Sequence, residues 1–215
     1  MASTMTDEEL LAWKPRMGML TVAEKLQDAE TIKLQANLFF KQGEVKKAVR
    51  TYAKVSGEAP ARLFGRCVRV CQRHLGQGDA MSTYVGNSAN MSATPEEGVQ
   101  IRALQIASWS NMALCQIKLG NGDKALQLCD KVLAEDDKHS KARFRRAQAL
   151  ALLKHHDRAR TLLMQLAKEE PKNAAIRNEL VKVAQAAKAD AEEAKKHNNI
   201  ANMFNKKGGV GLYDE

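Results

Sequence analysis

The sequence contains an internal repeat, and this repeat constrains the fold more than any other feature. Residues 106–139 and 140–173 form two consecutive segments of equal length with small residues in register, and a third copy runs from Ala29 to about Ser56. The recurring small residues are Ala36, Ala113 and Ala147 at the eighth position, and Ala48, Ala125 and Ala159 at the twentieth. Units of this kind bury their apolar faces only by stacking on neighbouring copies. We therefore expect an elongated stack of repeats.

The period of about 34 residues and its small-residue positions resemble the tetratricopeptide repeat, a helix–turn–helix unit. Composition agrees, because alanine, leucine, lysine, glutamine and glutamate favour helices. The resemblance implies an all-α fold: a tetratricopeptide helix–turn–helix superhelix of three repeats with a long C-terminal capping helix. Capping boxes at Thr21–Glu24 and Thr94–Glu97 predict helices over roughly 21–42 and from Pro95 to about Leu119.

The repeats are unevenly spaced, which predicts four regions along the chain. About 43 extra residues separate the first two repeats. Within them, 60–75 has a helical pattern, whereas 76–93 is rich in glycine, serine and asparagine and is typical of a loop. The predicted regions are an N-terminal arm (1–20, with a short helix at 6–13 and Trp13 as a docking residue), a three-repeat domain (21–173, with an insertion at about 57–100), a capping helix (174–205) and a disordered tail (206–215).

Composition limits the classes of function. The net charge of +9 makes acidic partners plausible. Nucleic acid is the weaker choice, since aromatic residues are only 5% of the chain and cations are spread over most helices. The sequence has neither a long apolar run nor a basic leader, so we expect a soluble cytoplasmic protein without a membrane partner.

Cysteine and histidine residues give little support for a metal site. Cys67, Cys71 and His74 have the spacing of one helix face, but no fourth ligand is evident and apolar packing explains them better. Cys115 and Cys129 fall on apolar helix faces, and a disulfide framework is not expected. His155 and His156 occupy turn positions, where exposure is expected. We predict no metal and no cofactor.

Five polar residues of the first helices are candidates for a binding site: Lys33, Asn37, Asn111, Lys141 and Arg145. At about 100° per residue they share an arc roughly 100° wide, about 160° from the packed face. Two amides and three cations on one surface suit a carboxylate-rich peptide. Residues on or near the same arc are secondary candidates: Phe40, Lys41, Lys118 and Phe144.

These five residues resemble the dicarboxylate clamp of tetratricopeptide co-chaperones, with Lys33 and Asn37 on the first repeat, Asn111 on the second, and Lys141 and Arg145 on the third. Over roughly 21–205 the chain is similar to the C-terminal half of the large immunophilins, particularly the forty-kilodalton cyclophilin type. Segments that carry this similarity are NLFFKQGEVKKAVRTYAKV, NMALCQIKLG, KARFRRAQAL and IANMF.

The resemblance implies a non-catalytic adaptor for the C-terminal Glu-Glu-Val-Asp peptide of cytosolic heat-shock chaperones, with the 90 kDa class favoured over the 70 kDa class. Asn37 and Asn111 would hold the terminal main-chain carboxylate, with Lys33 adding charge, and Lys141 and Arg145 a side-chain carboxylate. We expect roughly micromolar affinity, or about −8 kcal/mol. Only about 20 residues precede the first long helix, so isomerase activity is not expected here. The alternatives are the repeat domain of a prolyl isomerase whose catalytic domain is absent from this chain, and a scaffold for another acidic partner or client.

Overall fold

The computed structural model describes residues 5–16, 20–56 and 94–207, and all regular structure in these ranges is α-helical. The helices are α1 (Asp7–Ala12), α2 (Val22–Lys41), α3 (Val45–Ser56), α4 (Pro95–Lys118), α5 (Gly122–Glu135), α6 (Ser140–Leu152), α7 (His156–Glu169) and α8 (Ala174–Lys207). The all-α repeat fold is therefore confirmed. Both capping boxes that the sequence predicted are present, at the start of α2 and at the start of α4.

Three antiparallel pairs, α2–α3, α4–α5 and α6–α7, correspond to the three repeats. Each second helix also packs against the next first helix, so that α3 contacts α4, α5 contacts α6 and α7 contacts the capping helix α8. All six repeat alanines are fully buried. A side chain no larger than a methyl group lets the helices approach closely, which explains why the period is visible in the sequence.

The turn between the two helices of each repeat uses a residue with left-handed backbone. Gly43 and Gly120 have φ of 81° and 75°, and Lys154 takes the equivalent position in the third repeat with φ of 62°. The residue after each of them donates its backbone N–H to a carbonyl five residues earlier, as in a Schellman motif. Lysine is strained in this conformation, so the third turn depends more on its surroundings.

The N-terminal arm packs on the first repeat. Arg16 binds the buried carboxylate of Asp28 with its Nε (2.9 Å) and Nη2 (2.7 Å). The side-chain amide of Gln35 donates to three carbonyl groups at the end of α1. Trp13 packs against a core cluster of α2, α3 and α4, as predicted for a docking residue.

The capping helix α8 continues the core of the third repeat through Ile176, Leu180 and Val183. It ends at Lys207, two residues beyond the predicted end of the capping helix at 205. A histidine at the start of α7 corrects one expectation: His156 was predicted to be exposed, but its side chain is only 13% exposed and lies 2.9 Å from Asp190 of α8. Asp190 covers the His156 side chain from a helix that is distant in sequence. The repeat pattern does not reveal this contact.

Several sequence predictions lie outside the described residues: the helix at 60–75, the loop at 76–93, the Cys67–Cys71–His74 group and the tail from 208 onward. Residues 95–100, counted with the insertion, form the first turns of α4. Cys115 and Cys129 are buried free thiols.

Candidate functional site

The first helices of the three repeats form one continuous surface. Helix α2 contacts α4, and α4 in turn contacts α6, although the second helices also lie between them in sequence. All five predicted site residues are on these three helices. The polar contacts that the structure places among them are concentrated where α2, α4 and α6 meet, and they involve Asn37, Asn111 and Arg145.

The two predicted asparagines are neighbours. Nδ2 of Asn111 lies 3.5 Å from Oδ1 of Asn37, a long hydrogen bond across the first two repeats. The same Oδ1 accepts a short hydrogen bond from the hydroxyl of Tyr52 on α3, whose side chain is 2% exposed. With its oxygen held by two donors, the Asn37 amide has a fixed orientation. Its Nδ2 has no hydrogen-bond partner among the described residues, so it is a donor available to a ligand.

Arg145 reaches toward the second repeat. Its Nη1 donates to the hydroxyl of Ser110, a buried residue on α4. Burial lowers the pKa of Arg145, while Cys129, Cys115 and Tyr52 nearby act in the opposite direction. Arg145 makes no ion pair within the described part of the chain. A partly desolvated guanidinium without a carboxylate partner binds an anionic ligand strongly when one enters.

Three protonated groups lie under this surface. Burial raises the pKa of Tyr52 to about 12, and that of Cys115 to about 11. Burial also raises the pKa of Cys129 to about 12. All three are therefore neutral at pH 7, so the positive charge of Arg145 is not compensated by an anion beneath it.

The predicted lysines differ in exposure. Lys33 is half-buried, whereas Lys41 and Lys141 are exposed. In the ranges that the structure covers, none of the three makes an ion pair or a hydrogen bond through its side chain. These three lysines are therefore cations without an acidic partner among the described residues, two on α2 and one on α6. No recorded contact joins Lys33 or Lys141 to the asparagine pair.

Two of the secondary candidates contact each other. Nζ of Lys118 lies 4.2 Å from the centroid of the Phe40 ring, a cation–π contact between α2 and α4. Phe40 also packs partly against the largest core cluster. Phe144 packs against the core formed by α6, α7 and α8. Both rings therefore have a structural contribution in addition to the predicted binding role.

Sequence reasoning missed Tyr52 and Ser110 as parts of this site. Tyr52 lies on the second helix of the first repeat, whereas the predicted site residues were all sought on first helices. Ser110 directly precedes Asn111, but nothing in the linear pattern joins it to Arg145. A search for polar residues at buried repeat positions would have found both, because a buried hydroxyl needs a hydrogen-bond partner.

The described residues contain no group of three or more histidine, cysteine, aspartate or glutamate side chains that could hold a metal ion. None of the helices described is long and apolar enough to cross a membrane.

Comparison with known families supports the helical pattern. Residues 116–178 match the family model of the tetratricopeptide repeat. The matched segment, which runs from the end of α4 to the start of α8, is similar to tetratricopeptide repeats. The C-terminal repeat-containing domain of a Plasmodium falciparum FK506-binding protein superposes with a TM-score of 0.55 at 22% identity, over 82% of this chain and 97% of that one. The Hsp90 co-chaperone Cns1 of Saccharomyces cerevisiae superposes with a TM-score of 0.55 at 20% identity, over 86% of this chain and 47% of Cns1.

Sequence similarity leads to the same group. The bovine (Bos taurus) peptidyl-prolyl cis-trans isomerase FKBP4 is 27% identical over 181 residues, which are 84% of this chain and 33% of FKBP4. The chain is homologous to the C-terminal repeat region of this immunophilin. It spans about a third of the length of that relative.

Proposed function

We propose that the surface of α2, α4 and α6 binds the carboxylate-rich C-terminus of a partner protein, and that the chain acts as a non-catalytic co-chaperone adaptor. The observation that carries this proposal is the Asn37–Asn111 pair beside Arg145. It combines amide donors of fixed orientation with a guanidinium that has no anionic partner among the described residues.

The chemistry of the site suits a terminal aspartate, which has two carboxylates. The free Nδ2 of Asn37 and the amide of Asn111 are donors for the main-chain carboxylate, and Lys33 adds positive charge. Arg145 and Lys141 are donors for a side-chain carboxylate. Hydrogen bonds to charged groups contribute about 1.5–3 kcal/mol each. After the cost of ordering a flexible peptide, roughly micromolar affinity remains.

The partner class comes from resemblance. The clamp residues match those of co-chaperones that bind Glu-Glu-Val-Asp tails, and Cns1, with the same fold, is an Hsp90 co-chaperone. We propose the tail of the 90 kDa heat-shock chaperone as the preferred ligand, ahead of that of the 70 kDa chaperone. Two alternatives differ from this proposal. A scaffold would bind another acidic peptide, and the repeat domain of a prolyl isomerase would follow a catalytic domain in a longer protein.

The direct test is calorimetry with a peptide that ends in Met-Glu-Glu-Val-Asp, beside the same peptide amidated at its C-terminus. We expect a dissociation constant of about 1 μM for the free acid and a loss of at least tenfold on amidation. A peptide ending in Ile-Glu-Glu-Val-Asp tests the chaperone preference. Equal binding of the acid and the amide, or no binding, would contradict the proposal.

Lys141→Ala tests the site without disturbing the fold, because this side chain is exposed and makes no hydrogen bond or ion pair with other described residues. We expect a loss of at least tenfold in affinity with an unchanged melting temperature. Lys168→Ala is the matched control, since Lys168 is exposed on the second helix of the same repeat. A similar loss in both variants would mean that the peptide responds to net charge and not to this surface.

A further inference from the structure

A second concave feature lies where the second and third repeats meet, between the second helices α5 and α7, and helix α6 also contributes to its lining. It is a groove of about 330 Å³ with an apolar floor formed by Leu126, Leu150 and Leu162. Arg146 and Arg158 line its walls, together with Thr161.

The groove is separate from the surface formed by the first helices. None of the five residues predicted for the clamp lines it. Helix α6 supplies both sites from different faces, because Arg145 and Arg146 are consecutive and consecutive side chains diverge by about 100° around a helix. A ligand in the groove therefore leaves the proposed clamp free.

Charge in the groove is positive and only partly neutralised. Nε of Arg146 lies 2.9 Å from Oδ1 of Asp130, but the direction of the N–H leaves this buried nitrogen without a hydrogen bond. No other ion-pair or hydrogen-bond partner of Arg146 is found among residues 5–16, 20–56 and 94–207. Arg158 is exposed and has no ion-pair partner within the described ranges. Two guanidinium groups on different helices thus flank three leucines.

We propose that this groove docks an acidic amphipathic helix of a partner protein. Leucine-type side chains of the helix would cover the apolar floor, and glutamate or aspartate residues on its flanks would pair with Arg146 and Arg158. The charge complementarity favours this occupant over a fatty acid, which has one carboxylate for two arginines on separate walls. Laying the apolar face of a helix into a groove is a common mode of recognition.

A designed peptide tests the proposal without knowledge of the natural partner. It has about 14 residues, enough for a marginal helix, with leucines at i and i+4 flanked by glutamates. Acetylation and amidation of its ends remove the terminal carboxylate that the proposed clamp needs. We expect amide shifts in nuclear magnetic resonance spectra at Leu126, Thr161 and Leu162, without shifts at Asn37, and a dissociation constant of about 100 μM.

Charge-reversal variants give a matched comparison on α7. Arg158→Glu should weaken the peptide at least tenfold, whereas Arg160→Glu, also exposed but not part of the groove lining, should change affinity by less than about twofold. A glutamate in the first turns of α7 is compatible with the helix dipole, so both variants should fold. Asp130→Asn removes the internal carboxylate near Arg146 and should tighten binding.

Three results would overturn the proposal. The first is the absence of shifts at about 1 mM peptide, tenfold above the expected dissociation constant. The second is equal weakening by Arg158→Glu and Arg160→Glu, which would indicate attraction to the overall positive charge. The third is tighter binding of dodecanoate than of the peptide at the same residues, which would assign the groove to a small amphiphile.

Discussion

The polar cluster on the first helices and the polar cluster at the capping helix contain similar groups but balance their charges differently. At the first helices, the only hydrogen-bond partner of Arg145 among the described residues is the neutral hydroxyl of Ser110. At the capping helix, Asp190 binds both Lys154 (3.1 Å) and His156 (2.9 Å). The first cluster retains a cation without a carboxylate, whereas each acidic oxygen of Asp190 in the second has a basic partner.

This difference separates the surface that we propose for binding from a contact that stabilises the fold. Internal carboxylates that satisfied Arg145 would stabilise the fold but would compete with an anionic ligand. A cation held by neutral groups carries a desolvation cost that a ligand can relieve. In the capping cluster the charges are already paired. These pairs join α8 to the turn before α7 and to the first residue of α7.

The largest predicted effect on peptide affinity comes from replacing Arg145 on α6. Arg145→Met keeps an unbranched apolar stem and removes the partly buried charge. We expect peptide affinity to fall more than tenfold, with a melting temperature equal to or above that of the wild-type protein, because the desolvation cost disappears. Calorimetry with the acidic peptide and thermal unfolding measure the two quantities.

Arg143→Met is the control for that prediction. Arg143 binds Glu169 of α7 through two hydrogen bonds of 2.6 and 2.9 Å, so it has the internal carboxylate that Arg145 lacks. Its loss should lower the melting temperature and change peptide affinity by less than about twofold. If Arg145→Met destabilises the protein as much as Arg143→Met does, the contrast between binding and structural cations is wrong.

A smaller effect is expected from Tyr52, which acts on the ligand only through Asn37. Tyr52→Phe retains the buried ring and removes the hydroxyl that donates to Oδ1 of Asn37. The amide then loses one of its two orienting donors, and we expect peptide affinity to fall about fivefold, the equivalent of about 1 kcal/mol. Calorimetry measures the change.

A double-mutant cycle separates positioning from packing. In the Asn37→Ala background, Tyr52→Phe should have no further effect on peptide affinity, since no amide remains to be oriented. Additive losses in the double variant would show that Tyr52 affects the surface by another route. Thermal unfolding of each variant reports the separate contribution of the hydroxyl to stability.

Sequence periodicity predicted the fold because its determinants are local and repeated. Small residues at the eighth and twentieth positions recur in every repeat. Each threonine–glutamate capping box lies within a single helix turn. The helix from Val22 to Lys41 and the helix that begins at Pro95 agree with those signals. The arc of Lys33, Asn37, Asn111, Lys141 and Arg145 also follows from helix geometry, and its role as a clamp stays a prediction.

Contacts between distant residues were not predictable in this way. His156 meets Asp190, and Arg145 meets Ser110, 34 and 35 residues apart. Each pair joins helices whose spacing depends on packing through the core. Tyr52 was hidden for another reason: its ring occupies a packing position, and only its hydroxyl belongs to the polar surface. The role of a side chain that packs in the core with its ring and reaches a polar surface with its hydroxyl can be assigned only from coordinates.

The smallest predicted effect concerns the capping cluster. His156 and Lys154 beside Asp190 hold the pKa of its carboxyl below its ordinary value. A lowered carboxyl pKa stabilises the folded protein above the unfolded pKa, and this contribution is lost as the pH falls through the folded pKa. Asp190→Asn should therefore lower the melting temperature by about 2 °C at pH 7, because the pairs are partly exposed.

The pH dependence makes this last prediction specific. The difference in melting temperature between wild type and Asp190→Asn should shrink as the pH is lowered below about 4, where the carboxylate becomes protonated. Hydrogen exchange should show faster opening of α8 in the variant at pH 7 and unchanged protection of α4. A difference that persists undiminished into acid would assign the effect to packing of the side chain. The acidic peptide should bind both proteins equally, since the recorded partners of Asp190 are Lys154 and His156, and neither belongs to the proposed clamp.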